Sequence, residues 1–163
     1  SGLIGQYVHG NEPSHHIIYL YTMSGQPWKT ADKVREILEG QYHAAPDGLS
    51  GNEDVGQMSA WYILTAMGFY NVEPASTKYW FGSPLFDKVS IVVSKDGKTK
   101  FDINTVNNSK ENKYIQKITL NGKEWNKPYI EYGDIVKGGK LTFYMGAQPA
   151  VWYNWETANE AAE

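Results

Sequence analysis

The residues best suited to chemistry stand together in one stretch, Gly51-Asn52-Glu53-Asp54-Val55-Gly56-Gln57-Met58-Ser59-Ala60-Trp61-Tyr62. It places two adjacent carboxylates, Glu53 and Asp54, beside the amides of Asn52 and Gln57 where a glycine-bearing loop turns into a helix. A carboxylate at a helix N-terminus stays ionised, because the dipole and the N–H donors hold its pKa down. Such a group can act as a general base at neutral pH or bind a hard cation. The same residues also fit a purely structural role. Ser50-x-x-Glu53 and Asp54-x-x-Gln57 both match capping boxes, in which side chains satisfy the orphan N–H groups of the first turn.

A second polar cluster, Asn11-Glu12-Pro13-Ser14-His15-His16, again reads as a helix start, since Pro is tolerated in a first turn and Asn or Ser can cap it. His15 and His16 are adjacent and diverge on a helix, which argues against joint zinc coordination, where a spacing of four is usual. The chain contains neither a Gly-rich Lys-Ser/Thr phosphate loop nor a Gly-x-Ser-x-Gly elbow. Two polar clusters at two helix starts form one site if the first and third helices run parallel and the second returns between them.

Those clusters must be positioned by the elements around them. The pattern is helical from about Asn11 to Gly68 and β-type from about Tyr79 to Trp155, which predicts an α+β chain, helices first and strands after. The first helix is expected to start near Asn11-Glu12-Pro13-Ser14 and to run through His15 to about Met23. The second is expected from about Trp28 to Glu39, stopped by Gly40, and the third from about Asp54 to Met67, with Gly68 as its left-handed C-terminal residue. Val55, Met58, Trp61, Tyr62, Thr65 and Ala66 give that third helix a buried face. The segment 79–87 is expected to be an aromatic strand followed by a Pro turn, with further strands at 88–93, 99–104, 114–120, 129–131 and 140–145. Asp96-Gly97 and Asn121-Gly122 mark two-residue hairpin turns, so the strands are read as an antiparallel, sandwich-like layer. The small, acidic tail 157–163 is expected to fray.

Composition narrows the functions. The 163 residues suffice for a real core, and fifteen Lys and Arg against eighteen Asp and Glu give a net charge of -3. With no basic cluster, nucleic acid is not expected as a partner. Absence of cysteine removes thiol catalysis and thiolate metal sites but does not choose a compartment. No apolar run approaches a membrane span, and Ser1-Gly2-Leu3-Ile4-Gly5 has neither the charged start nor the apolar stretch of a signal peptide. A start without Met reads as a piece of a longer chain. Aromatic residues make up 14% of the sequence. They suit either a β-rich core or stacking on sugar rings, and burial preferences favour the core.

Four blocks in order, Gly10-Asn11-Glu12-Pro13-Ser14-His15, Gly25-Gln26-Pro27-Trp28-Lys29-Thr30, the Gly51–Trp61 stretch and Gly82-Ser83-Pro84-Leu85-Phe86-Asp87, carry a resemblance. The chain resembles the calcium-dependent exo-acting α-mannosidases of glycoside hydrolase family 92, closely over about residues 7–92 and by position only afterwards. The resemblance implies that residues 1–72 are the last helices of an (α/α)6 catalytic barrel and 73–163 a terminal antiparallel β-rich portion. It implies an inverting exo-α-mannosidase acting on mannose-containing glycans, with α-1,2 bonds the expected linkage. Inversion needs a protonating acid and, about 6.5–9.5 Å away, a carboxylate that activates water. The resemblance places that base in the Asn52-Glu53-Asp54 segment, with Asp54 the first choice and Glu53 the second. It implies Ca2+ as cofactor, with Asn52 and Glu12 as expected metal ligands, and Asn11, Glu12, His15, Trp28 and Gln57 as expected substrate contacts. The family's general acid has no counterpart here, so the expected partner is the remainder of the same polypeptide, and this chain alone is expected to be nearly inactive. The resemblance also suggests a periplasmic or secreted bacterial location. The rival expectation is a non-catalytic sugar-binding or structural module whose carboxylates only cap.

Overall fold

The computed structural model of the chain describes residues 2–155. The expectation for the tail 157–163 lies outside the described residues. The fold is α+β. It opens with a short antiparallel hairpin, β1 (Leu3–Ile4) and β2 (Tyr7–Val8), followed by two single 3-10 turns at Glu12–Ser14 and Ile17–Tyr19. Then come α1 (Leu20–Met23), α2 (Pro27–Gly40) and α3 (Gln57–Met67). The strands are β3 (Phe69–Tyr70), β4 (Lys78–Phe81), β5 (Lys88–Val92), β6 (Lys100–Val106), β7 (Tyr114–Leu120), β8 (Lys123–Glu124) and β9 (Tyr129–Glu131). A short helix α4 (Tyr132–Val136) leads into β10 (Gly139–Gly146).

The single first helix expected from near Asn11–Ser14 to Met23 is instead broken into 3-10 turns ending in α1. Side chains divert its ladder. The Thr30 hydroxyl donates to Ile18 O at 2.8 Å and accepts from Thr22 N at 3.0 Å, inserting between the two groups that an α-helical bond would join. The His15 carbonyl accepts from the Trp61 indole at 3.2 Å, leaving Tyr19 N to bond His16 O. The i→i+3 pattern is what remains.

Helix α2 keeps its expected bounds to within one residue and buries Ala31, Val34, Ile37 and Leu38. Gly68 closes α3 at φ 110, donating to Thr65 O and Leu64 O, and a Cβ there would lie 2.9 Å from the Phe143 ring. Both the left-handed backbone and the close approach require glycine.

The larger sheet has the order β5-β6-β10-β7-β8. The antiparallel layer departs from expectation at one pair, because β10 pairs parallel with β6 and antiparallel with β7. After β8 the chain leaves this sheet to form β9, which pairs with β4, and it returns through α4. A strand that arrives by such a crossover can join its neighbour in parallel. The smaller sheet, β3-β4-β9, is antiparallel. Asn121 and Gly122, at φ 52 and 80, form the expected two-residue turn between Leu120 and Lys123. At Asp96-Gly97 the connection is longer: Gly97 N bonds Ser94 O and Val93 N bonds Thr99 O.

The small sheet is the middle layer. Phe69, Phe81 and Ile130 face the large sheet and pack with Phe101, Ile103, Ile118, Leu141 and Phe143. Trp80 and Tyr129, on the opposite face, pack with Ile18, Tyr19, Val34, Ile37 and Trp61 of the helical layer. The alternation of strand side chains makes this two-sided core possible. Most aromatic residues are spent here, as burial preference predicts. Buried Arg35 ties α2 to the strand layer, donating to Ser83 Oγ, Pro84 O and Asn108 Oδ1. Among the described residues, no helix is long and apolar enough to cross a membrane.

Candidate functional site

The two polar clusters meet. Gly51 approaches Gly10 so closely that a Cβ on Gly51, at φ 123, would lie 2.9 Å from the Gly10 Cα. The loop before α3 is thereby pressed against the segment that carries Asn11 and Glu12. The third helix begins three residues later than expected, at Gln57, because Asp54, Val55 and Gly56 are all left-handed, with φ of 42, 60 and 84. Asp tolerates that conformation, whereas a β-branched residue such as Val55 is strained in it. The Val55 side chain is fully exposed at 108%, so no packing offsets the strain.

Glu53 and Asp54 occupy different environments. The Glu53 carboxylate accepts from Ser59 N at 3.0 Å and from Ser59 Oγ at 2.7 Å, and its carbonyl accepts from Met58 N. These bonds, the side-chain one first, hold the Glu53 carboxyl below its ordinary value. Glu53 therefore caps the first turn of α3, although from six residues away rather than in a capping box with Ser50. Ser50 instead donates to Gln41 O.

Asp54 does not share the lowered pKa expected of a carboxylate at a helix start. Its carboxyl is pushed up, first by the charge of Glu12, then by desolvation, by a hydrogen bond with Glu12 and by the charge of Glu53. The helix dipole cannot outweigh this, because Asp54 lies outside the helix, beyond Gly56. Glu12 Oε1 is buried and has no hydrogen-bond partner. An acceptor in that state is costly unless a donor or cation meets it.

Beneath the carboxylates lies a buried polar network. His15, 1% exposed, donates from Nε2 to His9 O at 2.9 Å and accepts at Nδ1 from Gln57 Nε2 at 3.0 Å. The carbonyl partner fixes the proton on Nε2. Gln57 Nε2 also donates to Tyr70 OH at 3.0 Å. Burial is the first cause that holds His15 below its ordinary pKa, opposed by the bond to His9 and by the charge of Glu12. His9 is fully buried and stacks on His15 with ring centroids 4.7 Å apart. Tyr7 OH donates to His9 Nδ1 at 2.8 Å, His9 Nε2 donates to Tyr42 OH at 2.6 Å, and Tyr42 OH donates to Met58 O at 3.2 Å. Burial, and secondarily His15, push His9 down to about 3. Burial also raises the Tyr7 and Tyr42 hydroxyls.

Of the residues expected at the site, Glu12, Glu53, Asp54, His15 and Gln57 are thus brought together. Asn11 and Asn52 are exposed beside them, and their side chains make no hydrogen bond within the described residues. Trp28 sits half-buried in the first turn of α2 and takes no part in the hydrogen bonds or ring contacts of this cluster. The sequence reading missed His9, Tyr7, Tyr42 and Tyr70. Gly56 inside the expected first turn of α3 was the available signal that the turn is not helical.

Two apolar clefts flank the cluster. One, of about 510 Å³, is lined by Tyr42, Pro46, Leu49, Ser59, Tyr62 and Ile63. The other, of about 550 Å³, is lined by Ile4, Tyr7, Ile17, Leu20 and Tyr21. Helix α3 contains no charged residue, yet Ile63 on its outer side is 49% exposed.

Comparisons with known proteins bear on this arrangement. The model of the glycosyl hydrolase family 92 catalytic domain matches residues 1–147. A family GH92 alpha-mannosidase from Bacteroides thetaiotaomicron, also solved in complex with mannoimidazole, superimposes with a TM-score of 0.86 at 42% identity, covering 92% of this chain and 20% of that one. A family GH92 inverting mannosidase from Bacteroides thetaiotaomicron VPI-5482 gives 0.80 at 40% identity, covering 93% of this chain and 22% of its own. A curated protein from Arthroderma benhamiae, described as an uncharacterized secreted glycosidase, is 33% identical over 144 residues, which is 88% of this chain and 19% of that protein. The chain therefore spans about a fifth of the length of these relatives.

Proposed function

The chain belongs to glycosyl hydrolase family 92, and from that premise we propose that the polypeptide containing it is an inverting exo-α-mannosidase that removes terminal mannose from glycans, with α-1,2 bonds as substrate. One observation carries the assignment of the site: Asp54 stands exposed on a strained turn beside Glu12, whose charge pushes its carboxyl up. A base whose pKa is raised toward the working pH accepts a proton more effectively. Asp54 takes the proton of the attacking water, while Glu53, already holding Ser59, supports the turn. The general acid that protonates the leaving oxygen belongs to the rest of the polypeptide, and this chain alone turns over little or nothing.

The residues fit a hard cation. The buried, unpartnered Glu12 Oε1 is an acceptor that a divalent ion would satisfy. Among the described residues, no group of three or more His, Cys, Asp or Glu side chains could hold a metal, so further ligands must be carbonyl, amide, water or sugar oxygens. Calcium is the proposed ion, with Glu12 and the Asn52 amide as ligands. It would supply positive charge at the sugar hydroxyls. Asn11, exposed beside Glu12, is the proposed contact to those hydroxyls.

The apolar clefts support the proposal that residues 1–72 complete a helical barrel with the rest of the polypeptide. A helix that is apolar all round, like α3, is normally buried on every side. Ile17, Leu20, Tyr21 and Ile63 would be covered in the same way. The relative described as secreted supports export from the cytoplasm, and we propose a periplasmic or secreted location.

The test is release of mannose from an aryl α-mannoside by the intact polypeptide, with calcium and then with chelator. Calcium-dependent turnover that disappears in Asp54→Asn supports the reading. Mannose binding that survives both Asp54→Asn and Glu53→Gln, without any turnover, would instead favour a non-catalytic module.

A further inference from the structure

The Asp54-Val55-Gly56 turn is held at both ends. On one side Glu53 accepts from Ser59 N and Oγ, and on the other Gln57 Nε2 donates to His15 Nδ1 and Tyr70 OH, each at 3.0 Å. His15 is fixed in turn. Its Nε2 bonds His9 O, its carbonyl receives the Trp61 indole, and its ring stacks on His9. Both ring nitrogens are occupied and the residue is 1% exposed, so the imidazole cannot reach a sugar.

Between these anchors the backbone is in a state that it would not keep by itself. A β-branched side chain at φ 60 is disfavoured by about 1–2 kcal/mol, and Val55 has no packing in return. Conformations of this kind persist only where the surroundings over-determine them.

We propose that Gln57, His15 and Tyr70 form a latch that holds the strained Asp54–Val55 turn against the Glu12 segment, and that they position Asp54 rather than bind substrate. The latch spans three parts of the chain. His15 follows the Glu12 turn, Gln57 begins α3, and Tyr70 lies in β3. Gln57 thus connects the segment bearing one carboxylate to the segment bearing the other, and the strand beyond α3 fixes the depth of both. Catalysis depends on such placement, since a misplacement of about 1 Å can cost about 10²-fold in rate. The consequence for the reaction rests on the proposed role of Asp54, whereas the latch itself does not.

Two readouts separate these claims. The first is amide exchange in the intact polypeptide at Gln57, Met58 and Ser59, whose N–H groups bond Asp54 O, Glu53 O and Glu53 Oε1. Gln57→Met keeps the side-chain length and removes both latch bonds. It should speed exchange at these three amides while the strands keep their protection. Adding Val55→Gly removes the strain that the latch opposes and should slow exchange again. The second readout is turnover. Gln57→Met should lower kcat by about 10²-fold with KM within about threefold, and the Gln57→Met/Val55→Gly pair should regain about tenfold. Val55→Gly alone should stay within about twofold of the parent.

If Gln57→Met disrupts folding, Tyr70→Phe removes one latch bond and carries the same comparison with a smaller effect. Unchanged exchange at the three amides, or faster exchange that Val55→Gly does not reverse, overturns the latch. A rise in KM at constant kcat would make Gln57 a substrate contact and would also overturn it. Exchange that behaves as predicted while Asp54→Asn turns over normally would keep the latch and reject Asp54 as the base.

Discussion

Two left-handed turns in this molecule are built from different residues. At Asn121-Gly122 the chain needs positive φ to join β7 to β8, and the residue types suit it. Asn121, at φ 52, also accepts Lys140 N at its Oδ1 at 2.8 Å. At Asp54-Val55-Gly56 the chain adopts positive φ three times running, one of them on a β-branched residue with no contact to reward it. The first turn serves the fold. The second costs the fold something and is kept in place by Glu53, Gln57 and His15. Backbone strain of that kind is typical of functional positions, and here it falls on the residue next to Asp54.

Breaking the ordinary part of the molecule should cost most. Phe143→Ala empties the space between the sheets, against Phe81 at 5.4 Å, and should lower unfolding free energy by about 3–5 kcal/mol in a denaturant titration. The site's own support should show a distinct acid sensitivity. His9 is neutral in the fold, with its pKa pushed from 6.5 down to about 3. The unfolded chain therefore binds the extra proton between those values, and stability is full above pH 6.5 and declines toward pH 3. The slope is at most about 1.4 kcal/mol per pH unit. Comparing the pH dependence of parent and His9→Gln isolates this part from that of the carboxylates, and curves of equal slope would contradict it.

Exchanging residue types between the turns sharpens the contrast. Asn121→Val should destabilise by about 1–2 kcal/mol, whereas Val55→Asn should stabilise by up to about 1 kcal/mol. Equal effects of the same sign would mean that the two turns are not under different constraints. The smallest expected effect concerns Asp54 itself. Glu12→Gln removes the first cause of its raised pKa, so in calcium-free protein the Asp54 carboxyl, followed by NMR, should titrate at lower pH than in the parent.

The strand half was readable from sequence because alternation and turn chemistry are local. Residues 114–120 and 129–131 match β7 and β9 as found. The parallel pairing of β10 with β6 was not readable, since it depends on a detour through β9 and α4 that no local pattern records. In the helical half, α2 was legible from its apolar face, but the first helix was not. The Thr30 hydroxyl and the Trp61 indole, both distant in sequence, divert its ladder. The site was half legible. Residue types identified Glu12, Glu53 and Asp54, and the structure brings them together. Their opposite pKa shifts follow from neighbours in space, Ser59 for Glu53 and Glu12 for Asp54. His9 and Tyr42 gave no signal, because a lone histidine and a lone tyrosine become a network only after folding.

The most direct test of the account compares the intact polypeptide with its Asp54→Asn variant on an α-mannoside in saturating calcium. A fall in kcat of about 10²–10⁴-fold, with the thermal midpoint unchanged, is the predicted result. Turnover within a few-fold of the parent would contradict the assignment of Asp54 as the group that activates water.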